Sequence, residues 1–118
     1  MKTHKDLEVW RASIDLAKNV YDLTKQYPRE ELFGLVSQMC RSSVSIASNI
    51  AEGAARNGNK EFLQFLYIAL GSASELDTHI EISKAAGICE EDRLQKLQEG
   101  TTRVRMLISG LIRSLKRS

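Results

Sequence analysis

The stretch Leu7-Glu8-Val9-Trp10-Arg11-Ala12-Ser13-Ile14-Asp15-Leu16-Ala17-Lys18-Asn19-Val20-Tyr21-Asp22-Leu23-Thr24-Lys25-Gln26-Tyr27 decides how this chain folds. Leu7, Trp10, Ile14, Ala17 and Tyr21 recur at three- and four-residue steps, the spacing that aligns side chains on one face of an α-helix. Val9, Leu16, Val20, Leu23 and Tyr27 make a second apolar row on the adjoining face. The other half of the cylinder carries Glu8, Arg11, Asp15, Lys18, Asp22 and Lys25. Their signs alternate at helical neighbour spacing, as on a solvated face laced with weak ion pairs.

Three more segments read the same way. Pro28 opens a second helix, where its missing N–H costs nothing, and Glu30 and Glu31 follow in the first turn. This helix is expected to run to about Arg56. Asn57-Gly58-Asn59 reads as a turn, with Gly58 as a left-handed C-cap and Asn59 capping the next helix. A third helix is expected from Lys60 to Ala86, with Phe62, Phe65, Leu66, Ala69, Ala73, Leu76 and Ile80 as its main stripe. Leu63, Tyr67 and Leu70 widen that stripe. The small Ala69 and Ala73 suit the close approach of a neighbouring helix, and Gly87 stops this one. A fourth helix begins near Glu90, with a heptad-like seam of Leu94, Leu97, Thr101, Val104, Ile108, Leu111 and Leu115.

No stretch alternates with period two. Helices of twenty-odd residues on short turns pack as antiparallel neighbours. The expected fold is therefore all-α, an antiparallel up-down-up-down four-helix bundle, with residues 1–118 as a single domain. Hydrophobic residues at 42% and charged residues at 27% are ordinary for a globular chain, and one proline argues against disorder. Cys40 and Cys89 form no Cys-x-x-Cys pair and read as reduced core thiols, which implies a reducing, cytoplasmic compartment. The start at Met1, Lys2, Thr3 and His4 leads into no apolar run, so no signal peptide is expected. Phe62 to Ser74 is too short to cross a bilayer.

The second helix departs from an ordinary amphipathic pattern. Its polar side is Gln38, Arg41, Ser45, Ser48, Asn49, Glu52 and Arg56, where a solvated face usually carries long Lys and Glu. Small polar side chains lower helix propensity, so they are expected where another backbone comes close or a hydrogen bond is needed. One reading leaves the stripe exposed with Glu52–Arg56 as an i,i+4 pair. The other lays it against a neighbouring subunit or helix, with Arg41 and Glu52 paired or hydrogen-bonded there. The two apolar rows of the first helix exceed what a four-helix monomer needs, which makes a homo-oligomer the expectation.

Charge is uneven along the chain although the net value is only +2. From Thr101 onward come Arg103, Arg105, Arg113, Lys116 and Arg117 and no acid. Bases at a helix end complement its dipole. The same cluster also reads as a phosphate-contacting patch, repeated by symmetry in an oligomer.

Chemistry of other kinds has little to stand on. His4 and His79 have no metal-ligand spacing with each other or with the cysteines. Glu75–His79 and Asp77–Glu81 are i,i+4 neighbours, without the Glu-x-x-His of di-iron bundles. Glycine-rich phosphate loops and nucleophile elbows are missing, so no cofactor, metal, small-molecule substrate or catalytic residue is expected.

The run Gln38-x-x-Arg41-x-Ser43-x-Ser45-Ile46-x-x-Asn49-Ile50-Ala51-Glu52-Gly53 resembles the signature of a bacterial four-helix-bundle family encoded in intervening sequences of large-subunit ribosomal RNA genes. Asp6-Leu7-x-Val9-Trp10, Tyr21 to Pro28, Leu32-x-Gly34-Leu35 and Gly71-Ser72-x-Ser74-Glu75-Leu76 match as well, so the resemblance covers nearly the whole chain. It implies a compact antiparallel bundle that assembles as a ring-shaped homopentamer. The family is similar in fold to the accessory variability determinant of diversity-generating retroelements, a pentameric bundle with a basic nucleic-acid-binding surface. The expected function is a non-enzymatic oligomeric scaffold whose partner is RNA or a nucleic-acid-associated protein. Arg103, Arg105, Arg113, Lys116 and Arg117 are the candidate RNA contacts. Gln38, Arg41, Ser45, Asn49 and Glu52 are the candidate subunit-contact or structural residues. The alternative is a protein–protein adaptor that binds no nucleic acid.

Overall fold

The computed structural model of the protein describes residues 3–117; Met1 and Lys2, with which the expected leaderless start begins, and Ser118 lie outside them. The long helices are α1 (Glu8–Thr24), α2 (Ser37–Ala54), α3 (Asn59–Ala86) and α4 (Glu91–Lys116). Each packs on the next in chain order, and α4 returns to α1. Contacts such as Thr24 with Cys40, Ser45 with Ser72 and Lys84 with Gln98 run in antiparallel register. The result is the expected up-down-up-down bundle, a rod of 45 × 21 × 19 Å.

One apolar row from each helix fills the centre: Leu16 and Val20, Met39 and Ile50, Leu66 and Leu76, Leu94 and Ile108. Burial of each such side chain contributes roughly 1.5–3 kcal/mol. In α1 the inner row is Val9, Leu16, Val20, Leu23 and, just past the helix, Tyr27. The other row is only partly covered: Leu7 and Trp10 pack against the core edge, while Ile14 is 41% and Tyr21 48% exposed. In α4 the heptad seam holds as far as Ile108, after which Ile112 takes the inner position and Leu111 and Leu115 are only partly buried. A straight helix of 3.6 residues per turn drifts off a 3.5-residue repeat, and by the end of α4 that drift has changed which residue points inward.

The second helix differs from its expected course. A 3-10 turn at Arg29–Glu31 leads into a wide turn at Leu32–Val36, and regular helix begins only at Ser37. Gly34 leaves helical geometry at φ −110°, ψ −105°. This break swings Leu32 and Phe33 out of the core, and Phe33 is 93% exposed. At the next turn Gly58 is itself the N-cap of α3, at φ 107° and ψ 163°, and Asn59 is the first helical residue; no side chain caps this end. Gly87 ends α3 in the left-handed region at φ 63°, as expected.

Ala69 and Ala73 are fully buried, and α2 also comes close to α3 at Gly53. A Cβ on Gly53 would stand 2.7 Å from the Phe65 Cβ and 3.0 Å from the Phe62 Cδ1. The last turn of α2 can meet the first turns of α3 only because residue 53 has no side chain.

The core also holds a polar contact. The Tyr27 hydroxyl donates to the Ser83 Oγ at 2.8 Å, and Ser83 donates to the His79 carbonyl at 2.9 Å. Burial pushes the Tyr27 phenol above its ordinary value, while the hydrogen bond to Ser83 pulls it the other way. A phenol whose folded value is raised holds its proton longer in the native state, so stability falls as pH rises above the ordinary value of 10.0. Tyr27→Phe should cost about 1 kcal/mol at neutral pH. It should also flatten the alkaline decline relative to wild type. Urea midpoints at pH 7 and in alkaline buffer check both; parallel losses in the two proteins would contradict the assignment.

Candidate nucleic-acid interface

Residues of α4 advance about 100° each around the helix, so neighbours in sequence point to different sides. The five bases expected to act together therefore separate. The Arg103 guanidinium turns toward α1 and binds the Glu8 carboxylate at 2.9 Å. Arg105 and Arg113 turn toward α3, where with Leu70, Ser74 and Ser109 they line a groove of about 490 Å³. Lys116 continues this row: its ammonium lies 5.4 Å from the centroid of the Tyr67 ring on α3. Arg117 is the exposed C-cap of α4, one turn beyond Arg113.

Arg105, Arg113 and Lys116 have no carboxylate within ion-pair distance among the described residues. The sequence explains why. The facing stretch of α3, residues 62–74, carries no charge at all, and α4 has no acid after Glu99. The seam therefore combines three unneutralised cations with hydroxyls of Ser74, Thr102 and Ser109 and an apolar floor of Leu70 and Met106. Chemically it can hold a polyanion.

Tyr67 was not singled out by sequence, where it only widens the apolar stripe of the third helix. It is 46% exposed. Its position seven residues, or two helical turns, before the exposed Ser74 puts both on one side of α3, and a Tyr on a helix seam can keep its ring face in water.

The polar stripe of α2 lies along the opposite seam of α3. The Ser45 and Ser72 hydroxyls meet at 2.9 Å, and the Asn49 Nδ2 donates to the Ser45 carbonyl at 2.8 Å and to its hydroxyl at 3.0 Å. Gln38, Arg41, Ser42 and Ser45 line a polar groove with Glu75. Glu52 binds Arg56 at 2.9 Å, as i,i+4 neighbours on a helix do. The Arg56 guanidinium also sits 5.0 Å over the Phe65 ring. Part of this stripe is thus an intramolecular helix–helix contact, while Arg41 has no ion-pair partner among the described residues.

Apolar surface gathers on the third seam, between α1 and α2. Trp10, Ile14, Ala17 and Tyr21 share one side of α1, and Cys40, Val44 and Ala51 face them from α2 by helical phase. At the end of this seam, Tyr21, Pro28, Leu32 and Phe33 line an open groove of about 660 Å³. The remaining chemistry-bearing groups do not converge. His4 packs edge-on to Trp10 at 5.0 Å, and His79 is buried with Nε2 unpartnered among the described residues. Cys40 and Cys89 are free thiols. Among the described residues, no group of three or more His, Cys, Asp and Glu is placed to hold a metal ion, and no helix is long and apolar enough to cross a membrane.

The family model described as 23S rRNA-intervening sequence protein matches residues 5–110. A crystal structure of a protein of unknown function from the S23 ribosomal protein family of Bacteroides thetaiotaomicron VPI-5482 is similar, with a TM-score of 0.83 and 24% identity. The match covers 89% of this chain and 95% of that one, and at this identity the likeness is one of fold. No curated protein matches the chain.

Proposed function

We propose that this chain, which belongs to the 23S rRNA-intervening sequence protein family, is a non-enzymatic, oligomeric, cytoplasmic scaffold that binds RNA along the α3/α4 seam. One observation carries the reading. Arg105, Arg113 and Lys116 lie on a single seam, and no acid answers them from either helix. Unneutralised cations in a row attract phosphates from a distance, and the gain on binding comes largely from released counterions. Arg117 extends the row, whereas Arg103, held by Glu8, contributes to the general field only.

Self-association occupies the α1/α2 seam in this reading. Ile14, Tyr21 and Val44, each more than two-fifths exposed, are the surplus apolar surface a monomer leaves in water. A homopentamer is the assembly that the family resemblance implies, and it would repeat the basic seam five times around a ring. Solution scattering should return a mass near five times the 13.3 kDa of the chain. A mass of one chain at micromolar concentration would end the oligomer reading.

The adaptor reading draws on Phe33, which is 93% exposed beside the open groove of the α1/α2 corner. A protein partner seated there would bind through apolar contact and respond weakly to salt. Fluorescence anisotropy of a labelled structured RNA at two salt concentrations separates the two. Binding that weakens steeply as salt rises supports the RNA scaffold; none at low salt leaves the adaptor.

A further inference from the structure

Resting on the RNA reading of the α3/α4 seam, we infer that the seam takes single-stranded RNA, with Tyr67 as the platform on which one base stacks. Cations alone do not distinguish a single strand from a duplex, because both present phosphates. The ring does. Tyr67 is 46% exposed, and its hydroxyl makes no hydrogen bond among the described residues. Lys116 lies at 5.4 Å on the ring, so a cation already occupies one π-face. A base stacking on the remaining exposed surface would complete a sandwich of ammonium, phenol and nucleobase.

Paired bases bury their faces within the duplex, and the deep, narrow major groove of A-form RNA admits no side chain to them. Only an unpaired base can lay its face on a tyrosine. The rest of the seam suits the same ligand. Arg105 and Lys116 are eleven residues apart on one helix, about 16 Å along its axis, which matches a backbone run of a few nucleotides. Between them, the exposed Met106 and the partly buried Leu70 offer apolar surface to ribose and base, and Ser74 and Ser109 offer hydroxyls to the 2′-OH and phosphate. Stacking is sequence-tolerant, since every base has a π-face, so weak base preference is expected.

The test measures anisotropy of a labelled twelve-nucleotide unstructured RNA and of the same strand annealed to its complement, in low-salt buffer. Wild type, Tyr67→Phe, Tyr67→Leu and Arg113→Gln are compared, with helicity checked by circular dichroism. The single strand should bind more tightly than the duplex. Tyr67→Leu should weaken the single strand about fivefold or more and leave the duplex unchanged, while Tyr67→Phe retains wild-type binding. Arg113→Gln should weaken both. Equal binding of strand and duplex, or a Tyr67→Leu protein that binds the strand as wild type does, overturns the stacking inference, while sensitivity to Arg113→Gln keeps the phosphate reading alive. No binding of either RNA by wild type overturns both.

Discussion

Gly53→Ala is expected to destabilise the protein by about 3 kcal/mol, at the upper end of the range for overpacked cores. On helix propensity alone this substitution would stabilise α2 by about 1 kcal/mol. Sterics reverse the sign. The added methyl would lie 2.7 Å from the Phe65 Cβ and 3.3 Å from the Phe62 carbonyl oxygen, and neither atom is the free end of a flexible side chain. Relief requires α3 to move away from α2, which opens the contacts of Phe62 and Leu66 with the core. A loss of this size is a large part of the total stability of a domain. Gly71 supplies the control, because a Cβ there meets nothing within 4 Å. Gly71→Ala should raise stability by up to about 1 kcal/mol. Urea unfolding of both variants checks the pair; equal midpoints would mean that α2 and α3 are not as close as described.

The second large effect is on binding. Replacing Arg105, Arg113 and Lys116 together with Gln should lower affinity for RNA by about 100-fold at 0.1 M salt, since each phosphate contact on a single strand adds about fivefold there. The fold should survive. Among the described residues, these side chains make no hydrogen bond or ion pair with other side chains, and only Lys116 of the three touches a ring. Unchanged helicity with lost binding is the expected pair of results. Retained affinity would move the RNA surface to another part of the molecule.

Much of this architecture is legible in the sequence because helical periodicity is a local property. The rows of α1, the stop at Gly87 and the uncharged stretch of α3 can all be read without tertiary information. What cannot be read is which of two adjoining apolar rows turns inward. Val9 and Leu16 do so, rather than Ile14 and Tyr21, because of where α2 and α4 sit, not because of any difference within α1. The break at Gly34 is hidden in the same way, since Leu32-Phe33-Gly34-Leu35-Val36 looks like a continuing apolar helix until its neighbours leave Phe33 outside. Gly53 reads as the end of a motif, and only the position of Phe65 explains why it must lack a side chain.

The basic cluster is legible only in part. Arg103 and Arg105 are two residues apart and so about 200° apart on a helix, which separates them without any coordinates. Phase alone does not place Arg113, which lies about 80° from each of them; only the seating of α4 turns it to the α3 side with Arg105. Tyr67 is harder, because an aromatic in a wide apolar stripe is usually core, and the exposed ring follows from how α4 crosses the seam.

The salt dependence of binding tests most directly whether the α3/α4 seam is the RNA surface. Log affinity is plotted against log salt for wild type, Arg113→Gln and Arg103→Gln with the same single-stranded RNA. Arg113→Gln should reduce the steepness of the slope by about 0.7 per protomer engaged, the loss of one phosphate contact. Arg103→Gln should leave the slope as in wild type, because its guanidinium is turned to Glu8. Equal slopes for all three proteins, or a change confined to Arg103→Gln, would contradict it.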